Sequence, residues 1–176
     1  MKLQLKRTPG IYLVGFMGSG KTTIGKRLAG HLGWSFADLD ADIEAQTGMS
    51  ISRLFEQQGE AAFRAAEAIA LEHRIKQVKQ CKPLVLALGG GAFAQAANRA
   101  SITGNGFSIW LDVPFEVIER RVAGFAHRPL ARDPEKFREL FDARLPAYAL
   151  ADFKISAASD DDGENVQAIL AEGWFE

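Results

Sequence analysis

The chain has 176 residues, 47% of them hydrophobic and 24% charged, and a formal net charge of -1. That length suits one domain with a proper core, residues 1–176, and nothing in the near-neutral charge suggests a nucleic-acid or polyanion binder. No stretch approaches the roughly 20 apolar residues of a membrane span. Gly15, Gly18 and Gly20 interrupt any signal-peptide core behind the basic Lys2, Lys6 and Arg7. The single Cys81 admits no internal disulfide, so a cytoplasmic chain is expected, with Cys81 as a small buried or half-buried thiol. The three histidines, His31, His73 and His127, are scattered, which argues against a transition-metal site.

In chain order, residues 11–15 read as a β-rich strand stopped by glycine. Residues 22–32 read as a helix with Ile24, Leu28, Ala29 and Leu32 on one face and Gly33 as its C-cap. A short strand is expected over 35–39, short helices over 42–46 and 51–58 around Gly48, and a long helix over 60–80. The continuous apolar run 84–88 reads as a strand buried on both faces. A further strand covers 107–113 and a helix 115–122. Residues 123–134, with Gly124, His127, Arg128, Pro129, Arg132, Asp133 and Pro134, have a different character and read as a mobile lid. Residues 137–150 read as helical apart from Pro146, 153–156 as a last strand and 164–172 as a closing helix. This alternation predicts a three-layer α/β/α fold on a five-stranded parallel sheet. Ligands in such folds sit at the carboxyl ends of the strands, where Gly15, Asp38, Gly89 and Asp112 fall.

Gly15-Phe16-Met17-Gly18-Ser19-Gly20-Lys21-Thr22 matches the pattern G-x-x-x-x-G-K-[ST], preceded by a strand and followed by a helix. The glycines let successive backbone N–H groups of Gly18, Ser19 and Gly20 turn toward phosphate oxygens. The helix that follows presents its unpaired N–H groups and positive dipole end, at Thr22 and Thr23, to the same anion. Lys21 reaches the outer phosphates and the Thr22 hydroxyl ligates Mg²⁺, which makes ATP the expected co-substrate. No guanine-reading Asn-Lys-x-Asp is present. The strand at 84–88 ends in Gly89-Gly90-Gly91 instead of an acidic residue, so Asp38 is the expected carboxylate on the metal side.

Asp38 and Asp40 stand at i and i+2, which in extended chain puts both side chains on one face. One would hold magnesium through water and the other would take a proton from a substrate hydroxyl; aspartates before a helix also serve as N-caps. Downstream come Phe63-Arg64-Ala65-Ala66-Glu67, Gly89-Gly90-Gly91, Arg128-Pro129-Leu130 and Arg144-Leu145-Pro146-Ala147-Tyr148. With the P-loop and the Asp-x-Asp turn, this ordered series, spread over about 11–155, closely resembles the shikimate kinase family.

The resemblance implies a nucleoside-monophosphate-kinase-like fold, a substrate-binding helical segment at about 41–68 and a lid at about 123–134. It also implies ATP-dependent phosphorylation of the 3-hydroxyl of shikimate, a step toward chorismate and the aromatic amino acids. By resemblance, Asp38 belongs to the magnesium side, and Asp40 binds the substrate hydroxyls and acts as base. Arg64 and Arg144 match the carboxylate-binding arginines, with Glu67 one helical turn on to hold Arg64. Gly89, Gly90 and Gly91 let the substrate ring lie against bare backbone. Arg128 matches the lid arginine over the phosphates, and Arg121 the position that stacks on adenine. A substrate bearing one carboxylate and several hydroxyls independently suits paired arginines and an aspartate.

Ala131 stands where a second leucine often follows Arg-Pro-Leu in this family, leaving a smaller apolar wall in the lid. Phe63, Tyr148, Trp34, Trp110 and Trp174 read as packing residues, and Asp160-Asp161-Asp162 as a solvated loop. Two other readings stay open. A related small-molecule kinase, of gluconate or nucleotide type, should not need both Arg64 and Arg144 beside a Gly-Gly-Gly run. A non-catalytic ligand sensor on the same fold would be favoured by loss of Lys21, Asp40 or Arg128, all of which are present. A monomer is the default oligomeric state.

Overall fold

The computed structural model describes residues 10–123 and 133–172. Five strands, β1 (Gly10–Val14), β2 (Ser35–Asp38), β3 (Leu84–Ala87), β4 (Gly106–Asp112) and β5 (Phe153–Ser156), form one parallel sheet in the order β2-β3-β1-β4-β5. β1 lies at the centre, paired with β3 on one side and β4 on the other, and Ile11 to Val14 are buried. Both faces of such a strand meet apolar layers, which is why β1 and β3 carry apolar runs with no polar alternation.

The helices are α1 (Lys21–Leu32), α2 (Leu39–Thr47), α3 (Ile51–Lys79), α4 (Ala96–Ile102), α5 (Phe115–Ala123), α6 (Pro134–Tyr148) and α7 (Asp162–Ala171). They complete the expected three-layer α/β/α arrangement, with α1 beside α7 and α3 beside α4. α1 buries Ile24, Gly25, Leu28 and Ala29. A Cβ on Gly25 would stand 2.5 Å from the Phe36 ring and 3.1 Å from Leu13, so glycine sets how closely α1 approaches the sheet.

Several local expectations need correction. α2 starts at Leu39, not 42, so Asp40 sits in its first turn and not in extended chain. The two helices expected at 51–58 and 60–80 join end to end as α3. Gly59, with φ 82° and ψ 176°, makes the break between them, a backbone state that L side chains avoid. Phe55 and Phe63 close the break from either side, their rings 4.5 Å apart. α4 was not foreseen. α6 begins at Pro134 and runs through Pro146, whose missing N–H costs a backbone bond only near the helix end. Cys81 is exposed, with φ 60°, in the turn that ends α3. Asp160 and Asp161 are exposed and outside the helices, as expected, but Asp162 begins α7, Asp161 caps it through Gly163 N–H, and Asp160 pairs with Arg120 at 2.8 Å. Trp174 lies outside the described residues.

Register carries the fold into the site. Ala87 of β3 aligns with Leu13 of β1 and with Asp38 of β2. The segments leaving these strands therefore emerge side by side: Gly15 and the P-loop, Gly89 to Gly91, and Asp38 with the first turn of α2.

Candidate active site

The P-loop closes around Gly18 (φ 80°) and Gly20 (φ 91°), left-handed positions suited to glycine. Gly20 is the N-cap of α1 and has no side chain to satisfy the first-turn N–H groups, which leaves them available to an anion. Lys21 Nζ donates to Gly15 O at 2.8 Å and to Phe16 O at 2.9 Å, curling over the loop. Thr23 lines the adjoining cleft, whereas the Ser19 side chain is buried beneath the loop. The Ser19 N–H donates to Phe16 O at 3.2 Å within the loop.

Asp38 is both a cap and a site residue. Its Oδ1 accepts from Asp40 N at 3.0 Å and Ala41 N at 3.3 Å, the N-cap pattern. Its Oδ2 accepts from Thr22 Oγ1 at 2.7 Å. The cap fixes the carboxylate, and the fixed carboxylate meets the P-loop hydroxyl. These two oxygens are the hard donors that Mg²⁺ prefers, and their small number fits an ion that keeps waters and takes phosphate oxygens for its other positions.

On the far side of the cleft, Arg64 Nη1 donates to both oxygens of Glu67, at 2.8 and 3.1 Å. The Arg64 guanidinium also lies over the Phe63 ring, 5.0 Å from its centroid. Phe63 is thus packing and platform together. Glu67 is buried and also accepts from Asn98 of α4 at 3.5 Å. Burial pushes the Glu67 carboxyl above its ordinary range, and the Arg64 hydrogen bond and charge partly offset this.

Gly89, Gly90 and Gly91 act as gauges of what surrounds them. A Cβ on Gly89 would lie 2.7 Å from Asp40 Oδ1; on Gly91 it would lie 2.6 Å from Arg64 Nη2 and 2.7 Å from Arg144 Nη1. One carboxylate therefore stands over the start of the glycine strap and two guanidinium groups converge over its end. Tyr148, one turn beyond Arg144 on α6, donates its hydroxyl to Gly90 O at 2.5 Å. Sequence reasoning placed Tyr148 only in the core. The i, i+4 spacing with Arg144 was the available signal that it faces the same strap.

A cleft of about 990 Å³ runs from Lys21, Thr22 and Asp38 past Asp40 to Arg64 and Arg144. Arg121 lines its P-loop end. Arg121 Nη2 donates to Ser159 O at 2.8 Å, and Nη1 to Gly18 O at 3.4 Å, tying α5 to the P-loop and to the segment before α7. Asp162 lines the same end. Arg128, Ala131 and residues 124–132 of the expected lid lie outside the described residues.

A family model described as shikimate kinase matches residues 17–172. The chain belongs to the shikimate kinase family. It is a kinase on a P-loop α/β fold. A shikimate kinase from Persephonella marina is 42% identical over 161 residues, covering 91% of this chain and 96% of the relative. One from Bradyrhizobium diazoefficiens is 45% identical over 150 residues, covering 84% and 70%. Among solved structures, the Acinetobacter baumannii shikimate kinase in complex with shikimate matches with a TM-score of 0.86 and 37% identity, covering 98% of this chain and 96% of that one. A gluconokinase from Sinorhizobium meliloti, at 18% identity and a TM-score of 0.56, shares the fold alone.

Proposed function

We propose that the chain transfers the γ-phosphoryl group of ATP to the 3-hydroxyl of shikimate, giving shikimate 3-phosphate and ADP. The observation that carries this reading is the polarity of the glycine strap: Asp40 at Gly89, and Arg64 with Arg144 at Gly91. An acceptor with a carboxylate at one end and a hydroxyl at the other fits that polarity, with its ring against bare backbone. The guanidinium pair binds the carboxylate through charge-assisted hydrogen bonds and so orients the ring. Glu67 keeps Arg64 in place for that contact.

Asp40 takes the proton of the attacking hydroxyl as the new O–P bond forms and the bond to the ADP oxygen breaks. Its place in the first turn of α2, under the Asp38 cap, fixes it against Gly89. The P-loop N–H groups hold the phosphates, and Lys21 exchanges its two loop carbonyls for the outer phosphates when nucleotide arrives. Thr22 and Asp38 would hold Mg²⁺, which when bound neutralises charge on the phosphates. In this reading Arg121, anchored by Ser159 O and Gly18 O, stacks on the nucleotide base. In this reading Arg128 supplies a further charge from the lid, and closure excludes water from a reaction that would otherwise waste ATP. The reading also takes one domain, acting as a cytoplasmic monomer. Among the described residues no helix is long and apolar enough to cross a membrane.

The test is ADP release with Mg·ATP and shikimate, quinate, gluconate, AMP or no acceptor. A rate that rises only with shikimate supports the reading. A rise only with another acceptor keeps the phosphate site and discards the assignment of Arg64 and Arg144 to shikimate.

A further inference from the structure

The Tyr148 hydroxyl is the one side-chain group that holds the backbone of the glycine strap among the described residues. It donates to Gly90 O at 2.5 Å, the ring is 1% exposed, and Trp110 packs at 6.1 Å between centroids. Burial raises the phenol far above its ordinary range, so the hydroxyl keeps its proton and remains a donor. The strap has no cis peptide. In a trans peptide the carbonyl and the next N–H point in opposite directions. A Gly90 carbonyl pinned to Tyr148 therefore turns the Gly91 N–H away from the tyrosine. That N–H makes no hydrogen bond among the described residues. Glycine loses more freedom on ordering than any other residue, so three in a row need an outside anchor to keep one peptide orientation.

We propose that Tyr148 is a positioning residue of the acceptor site: its hydroxyl locks the Gly90–Gly91 peptide so that Gly91 stays aligned beneath Arg64 and Arg144. Because Arg144 and Tyr148 stand one turn apart on α6, one rigid helix sets the carboxylate-binding guanidinium and the strap together. The proposal rests on the reading of this cleft as the acceptor pocket. It separates two tyrosines that look alike in the core. Tyr12 is equally buried, but its hydroxyl reaches Asn105 O at 3.4 Å, remote from the cleft.

The experiment compares Tyr148→Phe and Tyr12→Phe with the wild-type chain. For Tyr148→Phe, the KM of the acceptor rises about tenfold, the scale of one lost hydrogen bond. Its KM for ATP is unchanged, and amide exchange accelerates at Ala92, whose N–H closes the strap by donating to Gly89 O at 3.0 Å. Tyr12→Phe alters thermal stability without moving either KM or Ala92 exchange. Equal shifts of both KM values in Tyr148→Phe, or an unchanged acceptor KM, overturn the proposal. So does unaltered Ala92 exchange, which is read without substrate and therefore decides the point even if the acceptor is not shikimate.

Discussion

Substituting alanine for each glycine of the strap in turn should give three different enzymes. The would-be Cβ of Gly91 lies 2.6 Å from Arg64 Nη2 and 2.7 and 3.0 Å from the two terminal nitrogens of Arg144. Ordinary contact begins near 3.4 Å, so in Gly91→Ala both guanidinium groups must retreat by up to about 0.8 Å. Arg64 has little room, tied to Glu67 at 2.8 Å and laid on Phe63. Hydrogen bonds to charged groups contribute about 1.5–3 kcal/mol each, and about 1.4 kcal/mol is a factor of ten. Losing or lengthening one such bond should raise the KM for shikimate about 10- to 100-fold. Stability should hold, because the displaced atoms end flexible side chains and Gly91 is not among the residues of positive φ.

Gly89→Ala meets Asp40 Oδ1 at 2.7 Å instead, and displaces a carboxylate on a short side chain. Misplacing a reacting group by about 1 Å costs roughly a hundredfold in rate, so here kcat falls and the KM for shikimate moves less. The Cβ of Gly90 would lie 3.7 Å from its nearest protein neighbour, so Gly90→Ala should keep stability and displace neither the arginines nor Asp40, and should raise the shikimate KM only through the methyl meeting the ring laid against the strap. The assay is steady-state ADP release against shikimate at saturating Mg·ATP, with thermal unfolding of each variant. An unchanged shikimate KM in Gly91→Ala would refute the placement of the arginines over the strap's end.

Asp40→Asn should lower kcat by about 10²–10⁴-fold with ATP affinity retained, measured by nucleotide titration alongside turnover. Normal turnover in that variant would remove Asp40 from the proton transfer. Asp38→Asn and Asp38→Ala should part company in unfolding and turnover: asparagine caps a helix about as well as aspartate, so it preserves stability while removing the metal-side charge, whereas alanine costs about 1 kcal/mol as well. Equal stability of the two would show that the cap contributes little. Glu67 carries a raised carboxyl pKa, so between its ordinary value of 4.5 and its folded value the folded chain keeps a proton that the unfolded chain has lost. Its contribution is thus fully present below pH 4.5 and is lost as pH rises through the folded value, and Glu67→Gln should flatten this fall in melting temperature between acid and neutral pH while raising the KM for shikimate. An identical pH profile in the variant would mean that another group governs it. Arg144→Ala should raise the KM for shikimate far more than that for ATP, and equal changes would make the arginine structural.

The sheet was legible because its inner strands β1, β3 and β4 are mostly apolar runs between glycines or polar turns, and the P-loop because its chemistry dictates residue types at fixed spacing. α4 escaped because Ala96–Ile102 spans only seven residues and buries only Asn98 and Ile102, too few for a helical period to show. The start of α2 was misplaced because Asp38 and Asp40 look alike in sequence, and only the cap geometry separates the residue before the helix from the residue inside it. Tyr148 escaped because its partner is a backbone carbonyl 58 residues away, and a carbonyl has no sequence signature. Cys81 looked like a core thiol by residue type, but a helix ending at the surface places it in an exposed turn.

Structural and functional assignments were weighed as alternatives along the sequence, yet several side chains hold both. A site at the carboxyl ends of parallel strands is made where helices begin, so its carboxylates are also caps: Asp38 serves α2 with one oxygen and Thr22 with the other. The same economy applies to the cations. Arg64 is held by a buried carboxylate that its own charge keeps tolerable, and Arg121 binds three backbone carbonyls of neighbouring loops. Such groups are oriented before any ligand arrives, which is the condition for electrostatic stabilisation without reorganisation. It follows that removing them tests two roles at once. Conservative pairs that keep the hydrogen bond and remove the charge, such as Asp38→Asn and Glu67→Gln, therefore separate fold from chemistry where alanine cannot.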